Sequence, residues 1–347
     1  MRRQARLTSR VIGSILFCSL LPTDAAKAQD EAALAARLHA AADANAIDGA
    51  GMSPWHLRMD VQLFDAKGKP GEQGKIEEWW GGPDARRVTF AFPSFGGTQL
   101  RNREGSFATK DGVYESGVLD DLLEQVVHPM PRDKEIDHAT PELRKQKFGK
   151  VELECLWLAQ PLKNVFVPVG LFPTFCFDPG TNALRITTEA GALMFSRNRV
   201  ETFQGKSVAM DLTGRAPDAI RVTAQVTTLE SWTPADGDFT AAAGMIPIAA
   251  NPVELSQQMV GRALTTVSPM VPGGAMGTSG TMVFHAILGR DGRIHSLHLV
   301  STPDASVAMS YAQAMRQWTY KPFVLNGVPA EIDTIIHMNY SFNPSPY

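Results

Sequence analysis

The sequence has no excess of charge of either sign. Among its 347 residues, 33 are lysine or arginine and 36 are aspartate or glutamate, which gives a net charge of −3 at pH 7. Proteins that bind nucleic acid through electrostatics concentrate basic residues on one face or along one helix. The charge balance favours no such partner, and we expect the protein not to bind nucleic acid.

The sequence also has no apolar run long enough to cross a membrane. The N-terminal candidate, Val11 to Leu21, is about half of the roughly 20 residues that a transmembrane helix needs. Four arginines precede it, and the small-residue site Ala26-Lys27-Ala28 follows it. This order predicts a secretory signal peptide over residues 1–28, cleaved after Ala28. We therefore expect an exported protein, and a membrane-anchored one if the segment is retained.

Cysteine is scarce as well, with three residues in the whole chain. Cys18 belongs to the predicted signal peptide, which leaves Cys155 and Cys176 in the exported protein. Both lie in stretches that predict strands, and we expect the two strands to face each other. In an oxidising compartment such a pair predicts one disulfide, and two buried free thiols are the alternative.

Motifs of catalysis and cofactor binding are missing too. The sequence contains no P-loop, no dinucleotide-binding fingerprint and no H-E-x-x-H metal motif. The stretch 92–96 (FPSFG) lacks the first glycine of a nucleophile elbow. His295 and His298 point to opposite faces of a predicted strand, so they do not share a metal ion. We expect a non-enzymatic protein with no cofactor and no metal.

What the sequence does have is a long series of strand patterns. Leu57, Met59, Val61 and Leu63 alternate with polar residues, which predicts a strand with one buried face. Further stretches with strand composition lie at 76–80, 88–92, 100–103, 106–110, 151–158, 174–177, 183–188 and 222–229, the last of these closing the sheet. Helices are predicted over 29–46 and 117–128. The fold class is therefore α+β, with a curved antiparallel sheet and one or two helices over residues 29–233.

The composition changes after this domain. Residues 234–252 are rich in alanine, glycine and proline and predict a linker to a second domain over 253–347. At the start of that domain, Thr281 to Leu288 and Ile294 to Ser301 have the pattern of strands. Asp291-Gly292 between them is a tight-turn signal, so the two strands are expected to form a hairpin.

The chain after this hairpin predicts a helix and a second hairpin. Apolar residues recur at helical spacing from Val307 to Trp318, so Trp318 is expected to close the buried face of the helix. Pro322 prevents that helix from continuing. Asn326-Gly327 is a strong hairpin signal, because both central positions of the turn take positive φ. Residues 331–342 then predict a long last strand.

This order resembles the C-terminal domain of the TonB family of energy transducers over about residues 262–342. The motif residues that carry the resemblance are Asp291, Gly292, Trp318, Tyr320, Lys321, Pro322, Asn326 and Gly327. The resemblance implies a ββαββ fold in a periplasmic protein that takes part in energy-coupled outer-membrane transport. It also implies binding of a partner protein, such as an outer-membrane receptor peptide, by strand addition to an exposed sheet edge.

The first domain resembles LolA-like periplasmic half-barrels. The resemblance rests on Gly74 before the stretch 77–80 (EEWW), on the turn 81–84 and on the stretch 111–114 (DGVY). Such a sheet curls around helices and can leave an apolar hollow. The second hypothesis is therefore a periplasmic carrier of an apolar ligand or lipid, with the C-terminal domain as its docking module.

The last strand is the place where we expect the partner to bind. If its apolar residues face the helix, its outer face carries Asp333, Ile335, His337 and Asn339. Ile335 is apolar where water is expected. It either contacts a partner or packs under the first domain or a loop, and the sequence leaves both open.

Overall fold

The computed structural model describes residues 24–113, 117–159 and 170–342. The predicted signal peptide falls mostly on residues 1–23 and so lies outside the described residues. Within the described ranges, no helix combines the length and the hydropathy of a transmembrane span. The fold is α+β, as the sequence predicts.

A large antiparallel sheet accounts for most of the first 248 residues. Its strands are β1 (Trp55–Phe64), β2 (Pro70–Gly82), β3 (Ala85–Ala91), β4 (Gly96–Asn102), β5 (Gly105–Ala108), β6 (Thr140–Phe148), β7 (Val151–Ala159), β8 (Thr174–Phe177), β9 (Leu184–Thr188), β10 (Met194–Phe203), β11 (Lys206–Arg215), β12 (Ile220–Ser231) and β13 (Ile246–Ile248). Their order is β13-β5-β4-β3-β2-β1-β12-β11-β10-β9-β8-β7-β6. Two meanders thus meet at the β1–β12 pair in the middle of the sheet.

Helices cover one face of this sheet. They are α1 (Asp24–Asn45), α2 (Gly117–Val127) and α3 (Asp133–Asp137), with a short 3-10 helix at Asp111–Val113. The apolar side of α2, including Leu119 and Leu122, lies in the same core as Leu57 and Met59 of β1, and all four side chains are fully buried. Alternation along β1 therefore places its apolar side chains in the core to which the apolar side of α2 also contributes.

The sequence pattern does not predict β6, β10 or β11. In β10, Arg197 occupies a buried position where alternation calls for an apolar residue. Its Nη1 donates to the carbonyl of Gln125, in the last turn of α2, where backbone carbonyls lack partners within the helix. Burial lowers the pKa of Arg197 to about 9. Arg197 therefore caps the C-terminal end of α2. Its burial depends on this contact, because the carbonyl of Gln125 accepts a hydrogen bond from the buried guanidinium.

The segment 234–252, predicted as a linker, follows the outside of the first sheet. Phe239 packs edge-on against Trp232, with ring centroids 5.8 Å apart, and its carbonyl accepts a hydrogen bond from Asn102 at 3.0 Å. Strand β13 then pairs with β5. The expectation that 222–229 holds the last strand is wrong, because the free backbone groups of β5 recruit β13 as a further edge strand.

A second, smaller sheet follows. Its elements are β14 (Val253–Glu254), α4 (Gln257–Val260), β15 (Ser279–Leu288), β16 (Ile294–Ser301), α5 (Ala305–Met315), β17 (Phe323–Leu325), β18 (Val328–Ala330) and β19 (Ile332–Ser341). The sheet order is β14-β19-β15-β16, and β17 and β18 form a separate hairpin. Asn326 and Gly327 join that hairpin with φ of 52° and 85°, which confirms the predicted turn.

Trp318 lies outside the helix that it was expected to close. Helix α5 ends at Met315, and the backbone N–H of Trp318 donates to the Met315 carbonyl at 2.9 Å in a turn. The residues after it pair elsewhere, since Thr319 bonds to Thr265. The helix therefore ends well before Pro322, because tertiary hydrogen bonds redirect the chain. Trp318 is nevertheless buried in the same core.

Candidate functional site

Strand β19 has a partly open edge. One side pairs with β15 along its whole length, from Ile332 to Ser341. On the other side β14 runs parallel to β19 and covers only its first two residues. The backbone N–H of Leu255 donates to the carbonyl of Asp333 at 2.9 Å, just after β14. In the part of the chain that the structure describes, no strand covers this edge beyond Asp333.

Alternation decides which backbone groups face the open edge. In a strand the N–H and C=O of one residue point to the same side, and successive residues point to opposite sides. Asp333 points towards β14, whereas Phe342 forms both of its backbone hydrogen bonds with the chain that enters β15. Ile335, His337 and Asn339 therefore point their N–H and C=O groups towards the open edge.

The middle one of these three peptide groups is already bonded. The backbone N–H of His337 donates to Oε1 of Gln257 at 3.0 Å, and Nε2 of Gln257 donates to the His337 carbonyl at 3.4 Å. Among the described residues, the backbones of Ile335 and Asn339 have no hydrogen-bond partner on this side. The edge thus presents two unpaired peptide groups, at Ile335 and Asn339, and between them the peptide group of His337, which is bonded to the Gln257 side chain.

The four predicted partner-binding side chains lie on one face of the sheet. Ile335 is 40% exposed, and His337 and Asn339 are exposed as well. Asp333 is half-buried and accepts a hydrogen bond from Nε2 of His285 at 2.6 Å. Three of the four side chains are therefore open to a partner, and Ile335 does not pack under the first sheet or a loop.

Histidines on this face do not form a metal site. The rings of His285 and His298 stack with centroids 6.2 Å apart, and Ser296 and the Nε2 of His298 share a hydrogen bond at 2.9 Å. Within the described ranges, no group of three or more His, Cys, Asp or Glu side chains is arranged to hold a metal ion. The stacked pair is instead part of the polar outer face of the sheet.

The motif residues form hydrogen bonds near the turn between β15 and β16 and stabilise the sheet there. The backbone N–H of Tyr320 donates to the carbonyl of Gly292 at 2.7 Å, which ties the end of the α5 segment to the β15–β16 turn. The indole N–H of Trp318 donates to the carbonyl of Val267 at 2.9 Å. These contacts fix the backbone around the core, so the motif positions the sheet and does not itself line the open edge.

The two sheets share a tightly packed junction on the side of β16 and α5. Arg316 Nη2 lies 2.7 Å from Oε1 of Glu189, and its Nε donates to the carbonyl of Ala190 at 3.1 Å. Leu171 and Phe172 of the first 248 residues are buried in the core of the second sheet. Strand β16 is at one end of the strand order, whereas the open edge of β19 lies at the other end, beyond the two residues that β14 covers, so the junction is on the opposite side of the sheet from this edge.

A half-buried carboxyl group, that of Asp121, lies near charged residues of this junction. Burial raises the pKa of Asp121 to about 7, Glu189 adds to the rise, and Arg316 and His295 oppose it. The shift means that the folded chain holds a proton that the unfolded chain releases near pH 4, the ordinary range of an aspartate. The junction is therefore more stable when Asp121 is protonated.

Asp121→Asn is expected to flatten the dependence of stability on pH. Between about pH 4 and pH 7 the folded chain binds more protons than the unfolded chain, so wild-type stability falls as pH rises through this window. Partial exposure reduces the effect, and we expect a loss of roughly 1–2 kcal/mol by pH 8 that the variant does not show. Urea unfolding at pH 5 and pH 8 measures it, with exposed Asp236→Asn as control. Equal pH slopes in wild type and Asp121→Asn would contradict the assignment.

A comparison with known families supports the first resemblance. Residues 274–342 match the family model of the Gram-negative bacterial TonB protein C-terminal. The C-terminal unit is TonB-like. The matched residues run from just before β15 to just after β19, so they include the strand with the open edge and the motif around Trp318. The resemblance predicted from the sequence is confirmed over these residues.

Solved structures match the chain at low sequence identity. A LolA superfamily protein from Nitrosomonas europaea matches with 9% identity and a TM-score of 0.39, over 59% of this chain and 97% of that one. A putative outer membrane lipoprotein-sorting protein domain from Vibrio parahaemolyticus matches with 10% identity and a TM-score of 0.38, over 61% and 97%. No curated protein matches the chain by sequence.

Sequence reasoning missed Gln257. The residue opens a helix of four residues, which is too short to produce a periodic pattern. Ser256 before it, at the N-cap, is the one local signal of a helix start. The contact with His337 joins residues 80 positions apart, so only the folded chain reveals it.

Proposed function

We propose that this chain is an exported, non-enzymatic periplasmic protein that binds an extended segment of a partner protein at the open edge of β19. The partner is a peptide of an outer-membrane receptor, and binding serves energy-coupled transport across that membrane. The observation that carries the proposal is the pair of unpaired peptide groups at Ile335 and Asn339. Free strand edges are templates for a further strand, and proteins use them to bind extended peptides.

Two features of the surroundings suit this role. The edge belongs to the TonB-like residues 274–342 and lies away from the junction with the first sheet. Exposed Ile335 offers apolar contact beside the backbone groups. In strand addition the main chain supplies affinity and alternate side chains supply selectivity, so Ile335 and its neighbours on the outer face determine which segment is preferred.

The alternative function, a carrier of an apolar ligand, stays a prediction. In the described residues, the space between α2 and the sheet is filled by side chains such as Trp55, Ile76 and Leu123, each at most 2% exposed. The packing there is that of a protein core. No contact among these residues favours the carrier over the strand-binding function.

Asn339→Pro is expected to weaken peptide binding by roughly 10-fold or more, since it removes an edge donor and places a ring where the partner strand would lie. Because the Asn339 N–H points away from β15, proline removes no hydrogen bond within the sheet. The probe is the tightest dodecapeptide selected from a phage-displayed library against the purified chain. Its dissociation constant is measured by fluorescence anisotropy.

Asn339→Ala is the matched control. Both variants lose the hydrogen bond between the Asn339 side chain and Oγ1 of Thr281, at 2.6 Å, but alanine keeps the backbone N–H. Circular dichroism checks that both remain folded. Binding by a folded Asn339→Pro that equals binding by Asn339→Ala would show that recognition lies elsewhere on the protein.

A further inference from the structure

The Gln257 side chain occupies the edge of β19 as a peptide group would. A carboxamide carries one carbonyl acceptor and an N–H donor, the same pair as a backbone peptide. Its Oε1 accepts from the N–H of His337 at 3.0 Å and its Nε2 donates to the carbonyl of His337 at 3.4 Å. The glutamine thus satisfies both edge-facing groups of one β19 residue.

This contact lies in the middle of the surface that an added strand would use. The peptide groups facing the edge are those of Ile335, His337 and Asn339, about 7 Å apart along the strand. A continuous ladder needs all three, because a segment that skipped His337 would form two isolated contacts. An incoming strand therefore has to take the place of the Gln257 amide.

The helix that carries Gln257 is largely exposed, and Val260 is its residue that packs against the core of the second sheet. Helix α4 has four residues, none of them buried, and Met259 within it is 69% exposed. Gly261 follows the helix with φ of 79°, a conformation that glycine adopts without strain and that suits a hinge. Before the helix, two-residue β14 holds the chain to the start of β19. Segments with few buried contacts open locally at low free-energy cost.

We propose that Gln257 is a built-in competitor that an incoming strand displaces from His337, an inference that rests on the proposed function. The partner that fits is an extended segment of about five residues, the length needed to pair with β19 from Ile335 to Asn339. It supplies a peptide group to His337 in place of the glutamine amide. Until it binds, Gln257 keeps the middle of the edge paired and closed to unspecific strand pairing.

Replacing Gln257 with alanine tests the competition. The selected dodecapeptide is titrated into the full chain, and Gln257→Ala is expected to bind it with a dissociation constant roughly 3- to 10-fold lower, since two hydrogen bonds no longer have to be broken. Gln258→Ala is the matched control, because Gln258 is an exposed glutamine in the same helix without a hydrogen bond to β19. We expect Gln258→Ala to bind like wild type.

Amide hydrogen exchange gives a second measurement on the same proteins. Without peptide, the His337 amide is expected to exchange faster in Gln257→Ala than in Gln258→Ala. With peptide, the amides of Ile335, His337 and Asn339 are expected to be protected in both variants. Peptide bound with His337 unprotected would overturn the proposal.

The outcomes separate this inference from the proposed function. If Asn339→Pro weakens binding while Gln257→Ala binds no better than Gln258→Ala, strand addition stands and the competitor role is wrong. If the library yields a peptide only when it is selected against Gln257→Ala, and that peptide protects the three amides, the glutamine closes the edge completely and both proposals are supported. If no variant binds peptide at this edge, both are wrong.

Discussion

Gly292→Ala is expected to destabilise the C-terminal sheet by roughly 3–5 kcal/mol, whereas Gly327→Ala is expected to cost about 1 kcal/mol. Both glycines lie in hairpin turns with positive φ, 78° and 85°. An L-residue with a Cβ is strained in that region of conformational space at either position. Backbone strain alone therefore predicts nearly equal costs.

The surroundings of the two turns make the difference. A Cβ on Gly292 would lie 2.2 Å from the carbonyl oxygen of Tyr320, and a Cβ on Gly327 would meet nothing within 4 Å. The close approach arises because the Tyr320 N–H donates to the Gly292 carbonyl at 2.7 Å. The Cβ of an alanine at position 292 would force the backbone of Tyr320 away and break the hydrogen bond between the two residues.

Urea unfolding followed by circular dichroism measures both variants against wild type. A midpoint for Gly292→Ala well below that of Gly327→Ala is the expected result. Equal midpoints would show that the contact between the β15–β16 turn and Tyr320 accommodates a Cβ at little cost in free energy of unfolding. In that case the Asp-Gly and Trp-x-Tyr-Lys-Pro motifs would be independent turn signals.

Removing the disulfide is expected to lower the free energy of unfolding by about 3 kcal/mol. Cys155 and Cys176 lie directly opposite each other on β7 and β8, and the structure joins them in a disulfide across a separation of 21 residues. In the chain-entropy model, a closed loop of this length stabilises by about 3 kcal/mol through its constraint on the unfolded chain. Both residues are fully buried, so the bond is also shielded from reductants.

Two measurements check this prediction. Thiol titration of the denatured, non-reduced Cys18→Ser chain is expected to find no free thiol. The reduced Cys18→Ser chain is expected to show this loss in urea, since reduction removes the constraint with little change in side-chain volume, and Cys155→Ala/Cys176→Ala is expected to lose at least as much, because alanine also removes buried volume. Two titratable thiols would favour the alternative of buried free cysteines.

Local patterns were enough to predict many of the strands. Strand β1 appears as strict alternation, and its apolar residues lie in the same buried core as the apolar side of α2. The Asn326-Gly327 turn takes the positive φ angles that its residues favour. In each case neighbouring residues in the sequence supply the signal, because a strand face or a two-residue turn is defined over a few residues.

Other elements carry no such local signal. The sequence of β10 does not have the pattern of a strand, because charged Arg197 occupies a buried position. The partner that makes this burial possible is the carbonyl of Gln125, 72 residues away at the end of a helix. Helix α5 ends earlier than its apolar spacing suggests, because the residues after it bond to Thr265 and Gly292. These elements are set by hydrogen bonds between distant segments, which compete with local preference and win.

The candidate site divides in the same way. Local sequence is enough to predict that β19 is a long amphipathic strand, with Ile335, His337 and Asn339 on its outer face, since side chains alternate along any strand. The end of β14 after two residues of pairing and the hydrogen bond between Gln257 and His337 depend on the folded chain as a whole. Which peptide groups stay unpaired depends on where the rest of the chain lies, and that depends on the packing of α4 and both sheets. Whether a strand edge is open depends on which segments lie beside it in the fold, whereas the tendency to form the strand depends on the strand's own residues.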